Sequence, residues 1–327
     1  MTIFPVLLDA SPGYLRTASR PGSLLLAPIG PGSLMCRLHA RLGSLPSTKI
    51  VVMPTFRPDA AYRSALHCAC DQIGSVVCVD ELRDVVARME ASDWVLFVDP
   101  QCAALDAIDT AALQHAAMSP PTSASHLVAL ESNAGGTCEW VDIDDDGDVA
   151  RIQRFYDQVT WPFTSGVIAS LVPVPCLLTE RELAFDSLRQ LRAELAARGV
   201  PARDVAASGP TFDLTREREL LSLADCVARA SAENHPTTTR WIGSEAAVHD
   251  SARLIGPVLV QNGSRIGERA IVVGPATIGA GAMVGAGATV VQSVVLPGVD
   301  VTPGSVVRRQ LVTDSDDEGT LDLAGVA

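Results

Sequence analysis

From Ile242 onward an apolar residue or threonine recurs at every sixth position: Val248, Leu254, Val260, Ile266, Val272, Ile278, Val284, Val290, Leu296 and Thr302. An α-helix returns to the same face every ~3.6 residues and a flat strand every second residue, so neither produces a sustained period of six. A parallel β-helix does. Three short strands per coil each turn one side chain inward, and stacked coils bury a continuous apolar column. The residue four places after the inward one is small at Ala246, Ala252, Ser264, Ala270, Ala276, Ala282 and Ala288, as tight corners require. Gly243, Gly267, Gly279 and Gly285 directly follow inward residues. The inward positions span about 3.3 coils, or roughly 16 Å of height at the spacing of paired strands. A stack this short has two raw strand edges, so packing against a neighbouring domain or a second copy is expected.

At 327 residues, 47% of them apolar, the chain can fill cores in two domains. A net charge of −13 argues against nucleic acid or an anionic membrane as a general partner, but leaves room for a small nucleotide. The opening residues MTIFPVLLDASPGYLR lack a basic leader and a small-residue cleavage site, and no run reaches membrane length. With 8 scattered cysteines, of which only Cys68 and Cys70 are close, the expectation is reduced thiols in the cytoplasm. Lysine occurs only at Lys49. The expected domains are an α/β unit over 1–235, a β-helix over 241–308 and an acidic, disordered tail over 309–327 that contains TDSDDE.

Before the repeats, strand-like and helix-like segments alternate. Phe4 to Leu8, Ile50 to Met53, Ser75 to Val79, Trp94 to Val98 and His126 to Leu130 read as buried strands. Leu34 to Leu45, Ala60 to Ile73, Glu81 to Met89 and Thr110 to Ala117 read as crossover helices. This alternation predicts a doubly wound, mostly parallel sheet. Thr179 with Glu182 has the pattern of a capping box before a helix that stops at Gly199, and Thr215 is placed to cap another through about Ala232. Ligands of such sheets bind beyond the carboxyl ends of the strands. Asp99 stands there, directly after an all-apolar strand, either as a metal-holding carboxylate or as the start of the turn before Pro100. Asp142, Asp144, Asp146 and Gly147 imitate the start of a calcium loop, but Gln153 occupies the position of its bidentate glutamate, and an Asp-Gly hairpin turn explains them.

The repeats resemble the left-handed β-helix of hexapeptide-repeat proteins, and the whole arrangement resembles the sugar-1-phosphate nucleotidyltransferases, especially mannose-1-phosphate guanylyltransferase-like and glucose-1-phosphate thymidylyltransferase-like proteins. The stretches that carry the likeness, in order, are APIGPGSLMCRLHARLG, KIVVMPTFRPD, LFVDP, DDDGDVARIQRF, TSGVIAS and GPTFDLTRERELLSLAD. The resemblance implies a nucleotide-binding α/β sheet followed by a short left-handed parallel β-helix. It also implies Mg2+ held by Asp99 and Asp213, sugar contacts at Ser165, Gly166 and Val167, and a nucleotide loop at Leu8, Asp9, Ala10, Ser11 and Gly13 with Arg16 as its catalytic cation. The substrates implied are a nucleoside triphosphate and a sugar-1-phosphate, or a nucleotide sugar, in a homo-oligomer assembled through the β-helix. The chain reads LLDASPGYLR where that family has G-G-x-G-T-R, and the family's two lysine motifs fall near Pro21-Gly22 and Arg154-Phe155-Tyr156. Two alternatives to catalysis therefore stay open: a non-catalytic nucleotide-sugar-binding or regulatory homologue, and an acyltransferase that uses His249.

Overall fold

The computed structural model describes residues 2–16, 22–43, 45, 49–74, 76–78, 82–87, 89–103, 113, 117–118, 122–129, 139–143, 149–154, 167–178, 185, 187–207, 211–234 and 240–314. The first part is built on a sheet of seven strands in the order Ala202–Ala207, Ala124–Ala129, Val167–Pro173, Trp94–Val98, Ile3–Asp9, Ile50–Pro54, Val76–Cys78. All neighbours run parallel except Val167–Pro173, which is antiparallel to both strands beside it. Alternation of side chains sends Ile3 and Leu7 to one face, against helices Leu34–Leu42, Ala60–Ile73 and Glu217–Asn234, and Val6 and Leu8 to the other, against Leu188–Ala197. The sheet is therefore doubly wound, as the alternating pattern predicts.

Local chemistry sets the helix ends. Ser33 and Asp59 cap their helices by accepting from the amides of Cys36 and Tyr62. The helix expected to start at Thr179 begins instead at Leu188, capped by Ser187, whose hydroxyl accepts from Gln190 N. Residues 179–184, the 144–148 turn, the helix expected at Thr110 to Ala117 apart from residues 113 and 117, and the tail beyond 314 lie outside the described residues. The predicted hairpin is present as paired strands Glu139–Ile143 and Val149–Arg154.

The second part is a parallel β-helix whose strands run from Arg240–Ile242 to Leu311–Val312 in three stacked sheets. Its inward column follows the predicted hexads from Ile242 to Val290 and then slips. Ile278 stacks on Val295, Val284 on Val301, Val290 on Val307 and Val295 on Val312. The inward residues after Val290 are thus Val295, Val301, Val307 and Val312, and not Leu296 and Thr302; Thr302 is exposed. One residue fewer turns the corner at Gln292-Ser293, and again at Arg309-Gln310. Coils approach closely where glycine follows the inward residue: a Cβ added to Gly279 would lie 2.5 Å from Pro297 N.

One face of the β-helix is covered by the α/β part. On that face Val258, Leu259 and Val260 are all buried, whereas on the next face Arg265 and Met283 are exposed beside inward Ile266 and Val284. Helix Glu217–Asn234 packs there, and a single buried cluster runs from Ile3 in the sheet to Val312 in the last coil. Gln261, 4% exposed, is the polar staple of this junction: its Nε2 donates to the carbonyls of Gly30 at 2.9 Å and Gly32 at 2.8 Å, and its Oε1 accepts from Ala280 N.

Candidate functional site at the carboxyl end of the sheet

Chain direction places the switch point between Ile3–Asp9 and Trp94–Val98: from the first strand the chain steps outward through Ile50–Pro54 to Val76–Cys78, then returns to the opposite side of Ile3–Asp9. Asp9 and Asp99 stand at the ends of the two strands that flank this crevice.

Asp9 faces inward. Its carboxylate is fully buried, accepting at Oδ2 from Ser23 Oγ (2.6 Å) and Tyr62 OH (2.9 Å), and at Oδ1 from Leu25 N (3.1 Å). Burial pushes its carboxyl up to about 6, against the lowering effect of those donors. The group ties the two ends of the following loop together, a closure completed by Leu24 N donating to Ala10 O. Leu8 and Ala10 are buried beside it, Ser11 is half-buried, and Gly13 and Arg16 are exposed. Arg16 Nε donates to Ser11 Oγ at 2.8 Å, and Gly22 passes so near that an added Cβ would lie 2.7 Å from Arg16 Cγ. The loop contains a 3-10 turn, Gly13–Leu15, in which the amides of Leu15 and Arg16 donate to the carbonyls of Pro12 and Gly13.

Asp99 is 6% exposed, and its Oδ1 accepts from Gln101 N at 2.9 Å. Its own amide donates to Ile168 O on the antiparallel strand, next to half-buried Val167; Ser165 and Gly166 lie outside the described residues. The chain then forms a short strand, Cys102–Ala103, that pairs antiparallel with Phe212–Asp213 and sets Asp213 opposite Cys102. Leu214 N donates to Gln101 O at 2.7 Å. The turns that carry Asp99 and Asp213, separated by more than a hundred residues, are thus interlocked through their backbones. Tyr14 adds the third piece: its hydroxyl donates to Leu214 O at 2.7 Å, joining the loop after Asp9 to the Asp213 turn.

Asp213 is half-exposed. Its Oδ1 accepts from the amide and hydroxyl of Thr215, and its Oδ2 lies 3.4 Å from Arg216 Nε. Thr215, expected as a helix cap, serves this carboxylate instead, and helix Glu217–Asn234 starts two residues later. Two nearby groups feel the acid: burial, then Glu217 and Asp213, raise the Tyr14 phenol, and burial raises the buried Glu219 carboxyl, with Asp213 contributing. Tyr14, Ser23, Tyr62 and Glu219 carry no motif in the sequence. The only hint is that an aromatic hydroxyl must find a partner when buried.

Carboxylates such as Asp99 and Asp213 are the ligand type that suits a hard divalent ion, which keeps water and phosphate oxygens in its remaining positions. Among the described residues no group of three or more His, Cys, Asp or Glu side chains converges as an all-protein metal cage. On the β-helix, His249 Nδ1 accepts from Ser251 N at 3.2 Å and lies 2.9 Å from Ser251 Oγ.

No protein-family model matches the sequence, and no curated protein matches it. Among solved structures, one described as a glucose-1-phosphate thymidylyltransferase from Bacillus anthracis in complex with sucrose aligns over 69% of this chain and 95% of its own, at 12% identity and a TM-score of 0.48. Among the described residues no helix is long and apolar enough to cross a membrane.

Proposed function

We propose that the α/β part binds a nucleoside triphosphate and a sugar-1-phosphate and acts as a sugar-1-phosphate nucleotidyltransferase of nucleotide-sugar metabolism. The observation that supports this reading most is the interlocking of the Asp99 and Asp213 turns at the switch-point crevice. In the reaction a phosphate oxygen of the sugar-1-phosphate attacks the α-phosphorus in line, one P–O bond forms, the α–β bridging bond breaks, and pyrophosphate leaves with its electron pair. Asp99 and Asp213 would hold Mg2+, which supplies charge neutralisation for the phosphates when bound. Arg16, exposed on the loop beside Ser11, supplies the protein's own positive charge to the departing pyrophosphate. Asp9 adds no charge at the crevice surface, since its carboxylate is buried among donors beneath the loop. Ser165, Gly166 and Val167 are the proposed sugar contacts. Self-association through the β-helix belongs to the same proposal, with Ile255, Met283 and Val306 exposed on its uncovered faces.

One observation favours the second reading, a homologue that binds a nucleotide sugar without turnover. Pro12 has no amide, and the amides of Leu15 and Arg16 are spent inside the 3-10 turn, so this loop offers a phosphate fewer donors than its length allows. The acyltransferase reading has less support, because His249 Nδ1 is already engaged by Ser251. Pyrophosphate release from the four common nucleoside triphosphates with a panel of sugar-1-phosphates, with and without Mg2+, separates the first two. The first predicts Mg2+-dependent release that falls at least ~100-fold in Asp99→Asn, the loss expected when a charge-stabilising group is removed from the transition state. Nucleotide-sugar binding with no release selects the second.

A further inference from the structure

The two shortened corners of the β-helix open a groove beneath helix Glu217–Asn234. The corners between Leu254 and Val260 and between Val272 and Ile278 take six residues from one inward side chain to the next; those between Val290 and Val295 and between Val307 and Val312 take five. Both short corners turn through a non-glycine residue of positive φ, Gln292 at 48° and Arg309 at 50°, a conformation that L side chains adopt only at a cost. The groove encloses about 370 Å³, with Ser222, Asp225 and Arg229 on the helix wall and Thr277, Gln292 and Arg309 on the coil wall.

Its chemistry is that of a polar ligand site. Arg309 donates through Nε to Gln292 Oε1 at 2.9 Å and forms no ion pair among the described residues, although the chain carries a net charge of −13. Arg229 is held by Asp225 through Nε at 2.6 Å. Both guanidinium groups have further N–H donors to offer an anion. Thr277 is 1% exposed, yet its hydroxyl has no partner among the described residues. Ser222 Oγ donates to Arg218 O and keeps its lone pairs for a ligand hydroxyl, as does the second oxygen of Asp225. We infer that the groove between helix Glu217–Asn234 and the shortened coils binds a small hydroxylated phosphate ester, its phosphate between Arg229 and Arg309 and its hydroxyls on Ser222, Asp225 and Thr277.

This site is separate from the crevice at Asp99, and the test keeps them apart. Calorimetric titration of the full chain with glycerol 3-phosphate, and separately with inorganic phosphate, reads the affinity directly. Saturable binding of the ester is expected, tighter than that of inorganic phosphate because only the ester has hydroxyls. Arg309→Ala and Arg229→Gln should each weaken it at least tenfold with melting temperature held within a few degrees, and Asp99→Asn and Arg16→Ala should leave it unchanged. Should either arginine variant fail to fold, Ser222→Ala, which removes only the hydroxyl contact, should still lower the preference for the ester. No saturable binding by folded protein overturns the inference, as does binding that survives in both arginine variants or that is lost in Arg16→Ala instead.

Discussion

Asp9 and His126 are both fully buried, and they respond to acid in opposite senses. Burial pushes Asp9 up to about 6 from an ordinary 3.8, so its contribution to stability is complete below 3.8 and is lost as pH rises through 6. His126, whose Nδ1 lies 2.8 Å from Ser170 Oγ, is pushed down to about 4 from 6.5 by burial and then by Arg192. Its contribution is complete above 6.5 and is lost as pH falls through 4. Each effect is worth roughly 3 kcal/mol at full extent, at 1.36 kcal/mol per unit. The two slopes oppose each other between pH 4 and 6.5 and largely cancel. Asp9→Asn should therefore lose stability relative to wild type as the pH drops across that window, because only the histidine slope remains. The hydroxyls of Ser23 and Tyr62 can rotate to accept from the new amide. His126→Asn should gain relative to wild type over the same window. Urea denaturation at several pH values measures both differences, and profiles parallel to wild type would show that neither group carries the linkage.

At the level of elements, the β-helix was legible because its period is local, while the slip in the inward column was not. Val294, Val295 and Leu296 are all apolar, so the sequence lets Leu296 continue the period of six, and only the pairing of Ile278 with Val295 reveals the lost residue. The α/β alternation was legible from apolar runs, but Val167–Pro173 gives no sign in its sequence that it runs antiparallel, since direction is set by where the chain re-enters the sheet. Asp99 stood out as a carboxylate ending an apolar strand; Asp213 entered only through family resemblance, because its link to Asp99 is a two-residue ribbon between distant segments. The partners of Asp9 were hidden for the same reason, with Ser23 and Tyr62 14 and 53 residues away in sequence. One prediction belongs to this scale. Gly279→Ala forces a Cβ against the backbone of Pro297 and should cost about 2 kcal/mol in chemical denaturation, within the usual range for overpacking, whereas Gly13→Ala has open space within 4 Å and should cost far less.

For the whole molecule, the buried face shared by the β-helix and helix Glu217–Asn234 makes the solenoid a buttress for the crevice: that helix begins four residues after Asp213, and Glu217 Oε1 accepts from Leu311 N in the last coil at 3.2 Å. Gln261→Met keeps the volume of the junction but strands the carbonyls of Gly30 and Gly32 and the amide of Ala280. It should lower stability by about 2–3 kcal/mol, the cost of unpaired buried polar groups, read from the denaturant midpoint. The central claim is that Asp99 and Asp213 serve one divalent ion. Manganese binding to the full chain in the presence of a nucleoside triphosphate, followed by electron paramagnetic resonance, tests it most directly. The account predicts one ion per chain beyond that bound by free nucleotide, with affinity lowered at least tenfold in both Asp99→Asn and Asp213→Asn; a site that either folded variant leaves intact would contradict it.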